Sequence, residues 1–143
     1  MAEGSAADKV TFELVSPERL LASEEVDMVV APGADGDFGV LPEHSLLMSL
    51  LRPGVIEIYE GDRVAQRIFV GGGFAEVNER GCTVLAEEAL PVGEIDVAEA
   101  EKRIKFAEDD LASVEDDVTK AKLERDIVIA EAMIEAAKAG GAH

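Results

Sequence analysis

Only two histidines, His44 and the terminal His143, and one cysteine, Cys82, could supply a base, a thiolate or a soft metal ligand near neutral pH. No Gly-x-x-x-x-Gly-Lys-Ser/Thr phosphate loop, Gly-x-Ser-x-Gly elbow or His-Glu-x-x-His pair occurs, so an independent active site would have to be built from carboxylates. Asp35-Gly36-Asp37 places two acids around a glycine, but a calcium loop needs further oxygen ligands at fixed spacing and a closing glutamate. A polar turn is the expectation there. Gly71-Gly72-Gly73 has the freedom to approach a phosphate, yet Phe74-Ala75-Glu76-Val77 after it reads as a strand, not as the helix whose N-terminus would hold an anion. Cys82, between apolar neighbours and without a second thiol, reads as a core residue, and His44, after Pro42-Glu43, as a hydrogen-bonding residue of a turn. No cofactor or metal is expected, and the chain is not expected to be an enzyme.

What must position these residues is a chain of 143 residues, enough for one ordinary domain or two small ones. Hydrophobic residues make up 48%, sufficient for a packed core. Against 13 Lys and Arg stand 31 Asp and Glu, a net charge of −18 that repels phosphate backbones and anionic membrane surfaces. Nucleic acid is therefore not an expected ligand. The N-terminal segment Met1-Ala2-Glu3-Gly4-Ser5-Ala6-Ala7-Asp8 lacks the basic and apolar regions of a secretory signal, and no apolar run approaches the roughly 18 residues of a membrane span. Any work at a membrane is expected to go through another protein.

Punctuation divides the chain. All five prolines and all but two glycines lie at or before Gly93, whereas the 46 residues from Glu94 to Ala139 contain neither. The expected domains are 1–92 and 93–143, with an ordered first core over about 10–90. Upstream, apolar residues alternate with polar ones at Val10, Phe12 and Leu14, at Val26, Met28 and Val30, and over Val55 to Tyr59, Val64 to Val70 and Cys82 to Ala86. That period predicts half-buried strands, with turns at Pro32-Gly33, Asp35-Gly36, Arg52-Pro53-Gly54, Glu60-Gly61-Asp62 and Glu79-Arg80-Gly81. An antiparallel sandwich or barrel follows. Downstream, Val97, Ala100, Ile104, Ala107, Leu111, Val114 and Val118 form one heptad seam, and Leu123, Ile127, Ala130, Ile134 and Ala137 a second, out of phase with it. Two antiparallel helices joined near Ser113 to Asp117 are predicted, Asp116 or Asp117 capping the second; no Gly or Pro enforces the turn, and one straight helix of about 70 Å is the alternative. The class is α+β: a β-sandwich followed by a helical hairpin.

The stretch from Pro32 to Ser45, Pro-Gly-Ala-Asp-Gly-Asp-Phe-Gly-Val-Leu-Pro-Glu-His-Ser, resembles the signature loop of the epsilon subunit of the F-type proton-translocating ATP synthase. The similarity continues through Leu51-Arg52-Pro53-Gly54-Val55, Gly72-Gly73-Phe74-Ala75-Glu76-Val77 and Thr83-Val84-Leu85-Ala86-Glu87, in order, and covers Val10 to Ala139. The resemblance implies a non-catalytic rotor subunit in the central stalk, peripheral on the cytoplasmic face of the bacterial inner membrane and reaching the membrane only through the complex. It implies that the sandwich meets the gamma subunit and the c ring, with Gly36, Asp37, Phe38, Gly39 and His44 in that contact. It also implies that the hairpin can extend to the catalytic alpha and beta subunits and restrain ATP hydrolysis, with Lys120, Lys122 and Arg125 as the basic contacts. Some members bind ATP at the start of the first helix, which maps to Ile95, Asp96 and Ala100. Here Glu99 stands where that motif has arginine, a carboxylate where a cation would meet phosphate, so weak or absent ATP binding is expected.

A competing reading is a transcript-cleavage-type factor acting on RNA polymerase, with Glu115-Asp116-Asp117 as the metal-holding tip of the hairpin. Domain order opposes it, because those factors carry the hairpin first.

Overall fold

The computed structural model describes residues 9–17, 20–42 and 46–140. They divide into two compact units, residues 1–90 and 91–143.

The first unit holds strands β1 (Val10–Val15), β2 (Leu20–Val26), β3 (Met28–Gly33), β4 (Gly36–Val40), β5 (Leu47–Leu51), β6 (Gly54–Glu60), β7 (Arg63–Val70), β8 (Gly73–Val77) and β9 (Gly81–Ala86), with β10 (Ala89–Pro91) at its end. Their order is β10-β7-β6-β3-β5-β8-β9-β1-β2, with β4 on the side of β3. The pairs β1–β2, β3–β4, β3–β5, β3–β6, β5–β8, β6–β7 and β8–β9 are antiparallel, whereas β1 runs parallel to β9, with Phe12 opposite Cys82. β3 joins β5 through one pair, Gly33 with Leu51, so the sheet folds over at that point and its two halves close on each other. Val10, Phe12, Leu14, Val26, Val29, Ile56, Ile58, Val77, Cys82 and Val84 fill the space between.

The expected strands over Val10 to Leu14 and Cys82 to Ala86 place alternate residues inside, as period-two patterning demands. The phase expected for Val26, Met28 and Val30 is corrected. Val26 is buried but so are Val29 and Ala31, while Met28 and Val30 are only half-buried. The cause is Asp27, where the chain leaves its partner β1 and begins pairing with β6, and one residue out of strand resets which parity faces the core. Asp27 ties this corner together: its carboxylate takes an ion pair of 2.6 Å from Lys9 and a hydrogen bond from the Gly61 N–H. The Gly71 to Gly73 run bends the backbone closely over β9. Gly73 has a φ of 137°, and a Cβ there would lie 2.0 Å from the Leu85 carbonyl oxygen, so only glycine fits.

The second unit opens with a 3-10 turn, Val92–Glu94, and continues as α1 (Val97–Leu111) and α2 (Asp117–Gly140). The break falls between Leu111 and Asp117, and Asp116 caps α2, accepting from the Thr119 N–H at 2.8 Å and from its hydroxyl at 2.6 Å. These bonds, the hydroxyl first, hold the Asp116 carboxyl below the ordinary 3.8. α1 buries Ala100 and Ala107 as the first seam requires. Val118 does not belong to that seam: it is 78% exposed, because it lies beyond the break on the first turn of α2. α2 buries Ala130 on the second seam and also Ile129 and Ala136, which the seam omits. α2 packs against both α1 and the 3-10 turn. Arg103 on α1 and Asp126 on α2 pair across the hairpin at 3.2 Å.

Candidate functional site

The signature loop is a tight hairpin. Pro32 pairs with Asp37 and Gly33 with Gly36, leaving Ala34 and Asp35 as its exposed tip. Gly33 is compelled by space, since a Cβ would lie 2.5 Å from the Gly36 carbonyl oxygen and 3.0 Å from the Phe38 ring. Gly36, Asp37 and Gly39 are exposed and Phe38 is half-buried against the core cluster. His44 lies outside the described residues. The Asp35-Gly36-Asp37 acids sit on turn and strand as a polar hairpin, and no group of acids, histidines and cysteine suited to a metal occurs among the described residues.

Asp37 has a partner that sequence reasoning missed. Arg52 donates from one guanidinium nitrogen to Asp37 at 2.6 Å and from the other to the Gly33 carbonyl. Its backbone N–H donates to the Pro32 carbonyl at 2.9 Å, and the Ala34 N–H donates to the Leu50 carbonyl at 2.8 Å. Arg52 thus stands at the fold of the sheet and reaches back across it. The only signal was a cation in a turn, Arg52-Pro53-Gly54, whose partners depend on tertiary pairing.

The outward face of the sheet carries a second missed feature. Leu50 is opposite Phe74, Phe74 opposite Leu85, Leu85 opposite Val15 and Val15 opposite Leu20, a row of apolar residues across β5, β8, β9, β1 and β2. Leu50 is 70% exposed, Met48 67% and Leu46 76%. The neighbouring row begins at Met48 on β5 and continues through Glu76, Thr83 and Glu13, which are polar. Beyond it lies an open groove of about 360 Å³ lined by Thr11, Glu13, Asn78, Arg80, Gly81 and Thr83. Leu46 to Leu51 is nearly all apolar, so its alternation is hidden, which is why β5 was not read as a strand with an inner and an outer face.

On the hairpin, Asp96 is the N-cap of α1, accepting from the Glu99 N–H at 3.2 Å. Ile95 is half-buried and Ala100 buried, so of the three nucleotide-motif positions one is committed to capping and one to packing. Lys120, Lys122 and Arg125 lie on exposed positions of the first two turns and a half of α2. Cys82 is buried and its thiol is pushed up to about 11 by desolvation, which makes it a poor nucleophile.

Comparison with known proteins gives a consistent result. A family model described as "ATP synthase, Delta/Epsilon chain, beta-sandwich domain" matches residues 9–92. The ATP synthase epsilon chain of Paramagnetospirillum magneticum is 54% identical over 127 residues, covering 89% of this chain and 96% of that protein. That of Rhodospirillum rubrum is 50% identical over 132 residues, covering 92% and 98%. Among solved structures, a chain of the Euglena gracilis mitochondrial ATP synthase OSCP/F1/c-ring assembly superposes with a TM-score of 0.74 at 25% identity, over 90% of this chain and 81% of that one. A chain of the Tetrahymena thermophila mitochondrial ATP synthase central stalk and c ring gives 0.66 at 15% identity, over 90% and 96%, a likeness of fold.

Proposed function

The chain belongs to the ATP synthase epsilon chain family, and from that premise we propose that it is a non-catalytic rotor subunit of the central stalk. In this reading the sandwich docks on the gamma subunit and the c ring and helps couple proton-driven rotation to ATP synthesis. The hairpin restrains ATP hydrolysis when it extends toward the alpha and beta subunits. The chain sits peripherally, on the cytoplasmic face of the bacterial inner membrane, held there by the complex; no helix among the described residues is long and apolar enough to cross a membrane.

The observation that carries the docking is the exposed apolar row on the sheet, with Leu46, Met48 and Leu50 at its end. On a chain with a net charge of −18, a contiguous apolar strip of this kind marks a protein contact. The strip suits a durable contact with gamma. The polar hairpin from Gly36 to Gly39 suits the polar loops of the c ring, with His44 in the same segment. Lys120, Lys122 and Arg125 are the basic residues of the hairpin proposed to meet the catalytic subunits. ATP binding at Ile95, Asp96 and Ala100 is weak or absent, because Asp96 is spent on the cap and Glu99 repels phosphate. The RNA polymerase reading has no comparable support: the family model and the relatives above are ATP synthase chains, and Asp116 Oδ2 at the hairpin tip is taken up in capping α2.

The test is reconstitution of epsilon-depleted membranes with chain carrying Met48→Glu and Leu50→Glu. Both side chains are exposed, so the isolated variant keeps its thermal midpoint, while recovery of proton-driven ATP synthesis needs about tenfold more protein. Recovery at the wild-type concentration would remove this strip from the docking surface.

A further inference from the structure

We infer that Arg52 is a positioning residue for the rotor contact: it holds Asp37 at the edge of the hairpin with one carboxylate oxygen bound and the other left for a donor on the partner. This rests on the proposed docking of the signature loop and names the chemistry of that dock.

The geometry is over-determined at Arg52. Pro53 after it restricts its backbone to an extended conformation, and its N–H is fixed to the Pro32 carbonyl. The guanidinium then spans the fold of the sheet, gripping the Gly33 carbonyl at the root of the hairpin and Asp37 Oδ1 on its return strand. A planar fork can hold two acceptors at a fixed angle, which a lysine ammonium on its flexible stem cannot. Asp37 Oδ1 is therefore occupied, and among the described residues nothing donates to Oδ2. The Asp37 side chain is 60% exposed and that of Arg52 46%, so both remain within reach of a partner. An exposed ion pair of this kind adds little to folding, typically less than about 1 kcal/mol. Its effect is on orientation. The loop offers a neutralised, aimed acceptor in place of a bare carboxylate, so a polar partner loop that supplies an N–H, amide or cationic donor can meet it without also meeting unbalanced negative charge.

The experiment is a double-mutant cycle in the assembled enzyme, with full-length wild type, Arg52→Gln, Asp37→Asn and the double variant titrated into epsilon-depleted membranes. The readout is the subunit concentration giving half-maximal proton-driven synthesis. Each single variant is expected to raise that concentration about threefold, and the double variant no further, because Arg52 acts through Asp37. The charge swap, Arg52→Asp with Asp37→Arg, separates positioning from pairing: it restores opposite charges at the two positions, without the bond to the Gly33 carbonyl, and leaves the titration shifted, since the group offered is now a cation. No effect of Asp37→Asn would remove the docking role of the loop and this inference with it. An effect of Asp37→Asn with Arg52→Gln silent or additive, or full rescue by the swap, would remove the inference alone.

Discussion

In the sandwich the fully buried side chains include Phe12, Ile56, Ile58 and Phe69, whereas the hairpin's buried residues are Ala100, Ala107, Ala130 and Ala136 with Val92 and Ile129. Burying a large aliphatic or aromatic side chain stabilises by about 1.5–3 kcal/mol, and each methylene-sized group by about 0.8. The two units, at the two ends of one chain, are therefore held by different amounts. The sandwich has a core of large side chains, which suits the fixed docking body proposed for it. The hairpin is closed by alanine contacts, a cap at Asp116 and the pair of Arg103 with Asp126, and in the proposed reading a competing surface exchanges its closed and open forms at modest cost.

The largest way to break this contrast is to truncate a fully buried side chain in each unit. Phe12→Ala should destabilise the sandwich by about 3–5 kcal/mol in chemical denaturation. Ala130→Gly on α2 should cost about 2 kcal/mol, about 1 through helix propensity and about 0.8 through the lost buried methyl. Comparable losses would contradict the difference in cohesion. Next in size is truncation after about Ile95. The remaining sandwich keeps its own core cluster, all of it within residues 10–86, and should fold with a thermal midpoint close to that of the full chain and still join the rotor. Failure to fold would show that the helices supply part of its core.

The smallest effect sharpens the comparison through pH. The Asp27 carboxyl is held below the ordinary 3.8 by its bond from Lys9 and by the Gly61 N–H, while Lys9 is raised above the ordinary 10.5, chiefly by its bond to Asp27. The stabilisation that Asp27 gives is present above about pH 4 and is lost as pH falls through its lowered value. That of Lys9 is present below its unfolded value and is lost as pH rises through the raised one. Asp116 gives the hairpin an acid limb of the same sign. Tyr59, the single tyrosine in a chain without tryptophan, lies beside Asp27, whose N–H donates to its carbonyl. Its fluorescence follows the sandwich while far-ultraviolet dichroism follows the helices. Asp27→Asn should flatten the acid limb in the first signal and Asp116→Asn in the second.

Legibility followed the same division. Val10, Phe12 and Leu14 could be read because one face of β1 is buried and the other is not. The turn between the helices could be read because Val118 and Leu123 break the heptad phase. Val26 to Val30 misled because Asp27 interrupts the strand without a glycine or proline to announce it. β5 was hidden by apolar residues on both faces, Leu47 and Leu51 toward the core and Met48 and Leu50 exposed. Arg52 was silent because its acceptors are 15 and 19 residues away and meet it only where the sheet folds over. In the hairpin, Ile129 and Ala136 lie off the second heptad seam, which marks a single stripe of α2.

The central claim, a fixed sandwich carrying an exchangeable hairpin, is tested most directly by ATP hydrolysis. Three complexes are compared: full-length chain, the truncation after about Ile95, and the triple variant Lys120→Ala, Lys122→Ala and Arg125→Ala. The account predicts faster hydrolysis in the truncated and triple-variant complexes than with the full chain, at equal subunit occupancy. Equal rates in all three would contradict it and leave the sandwich as the only working part.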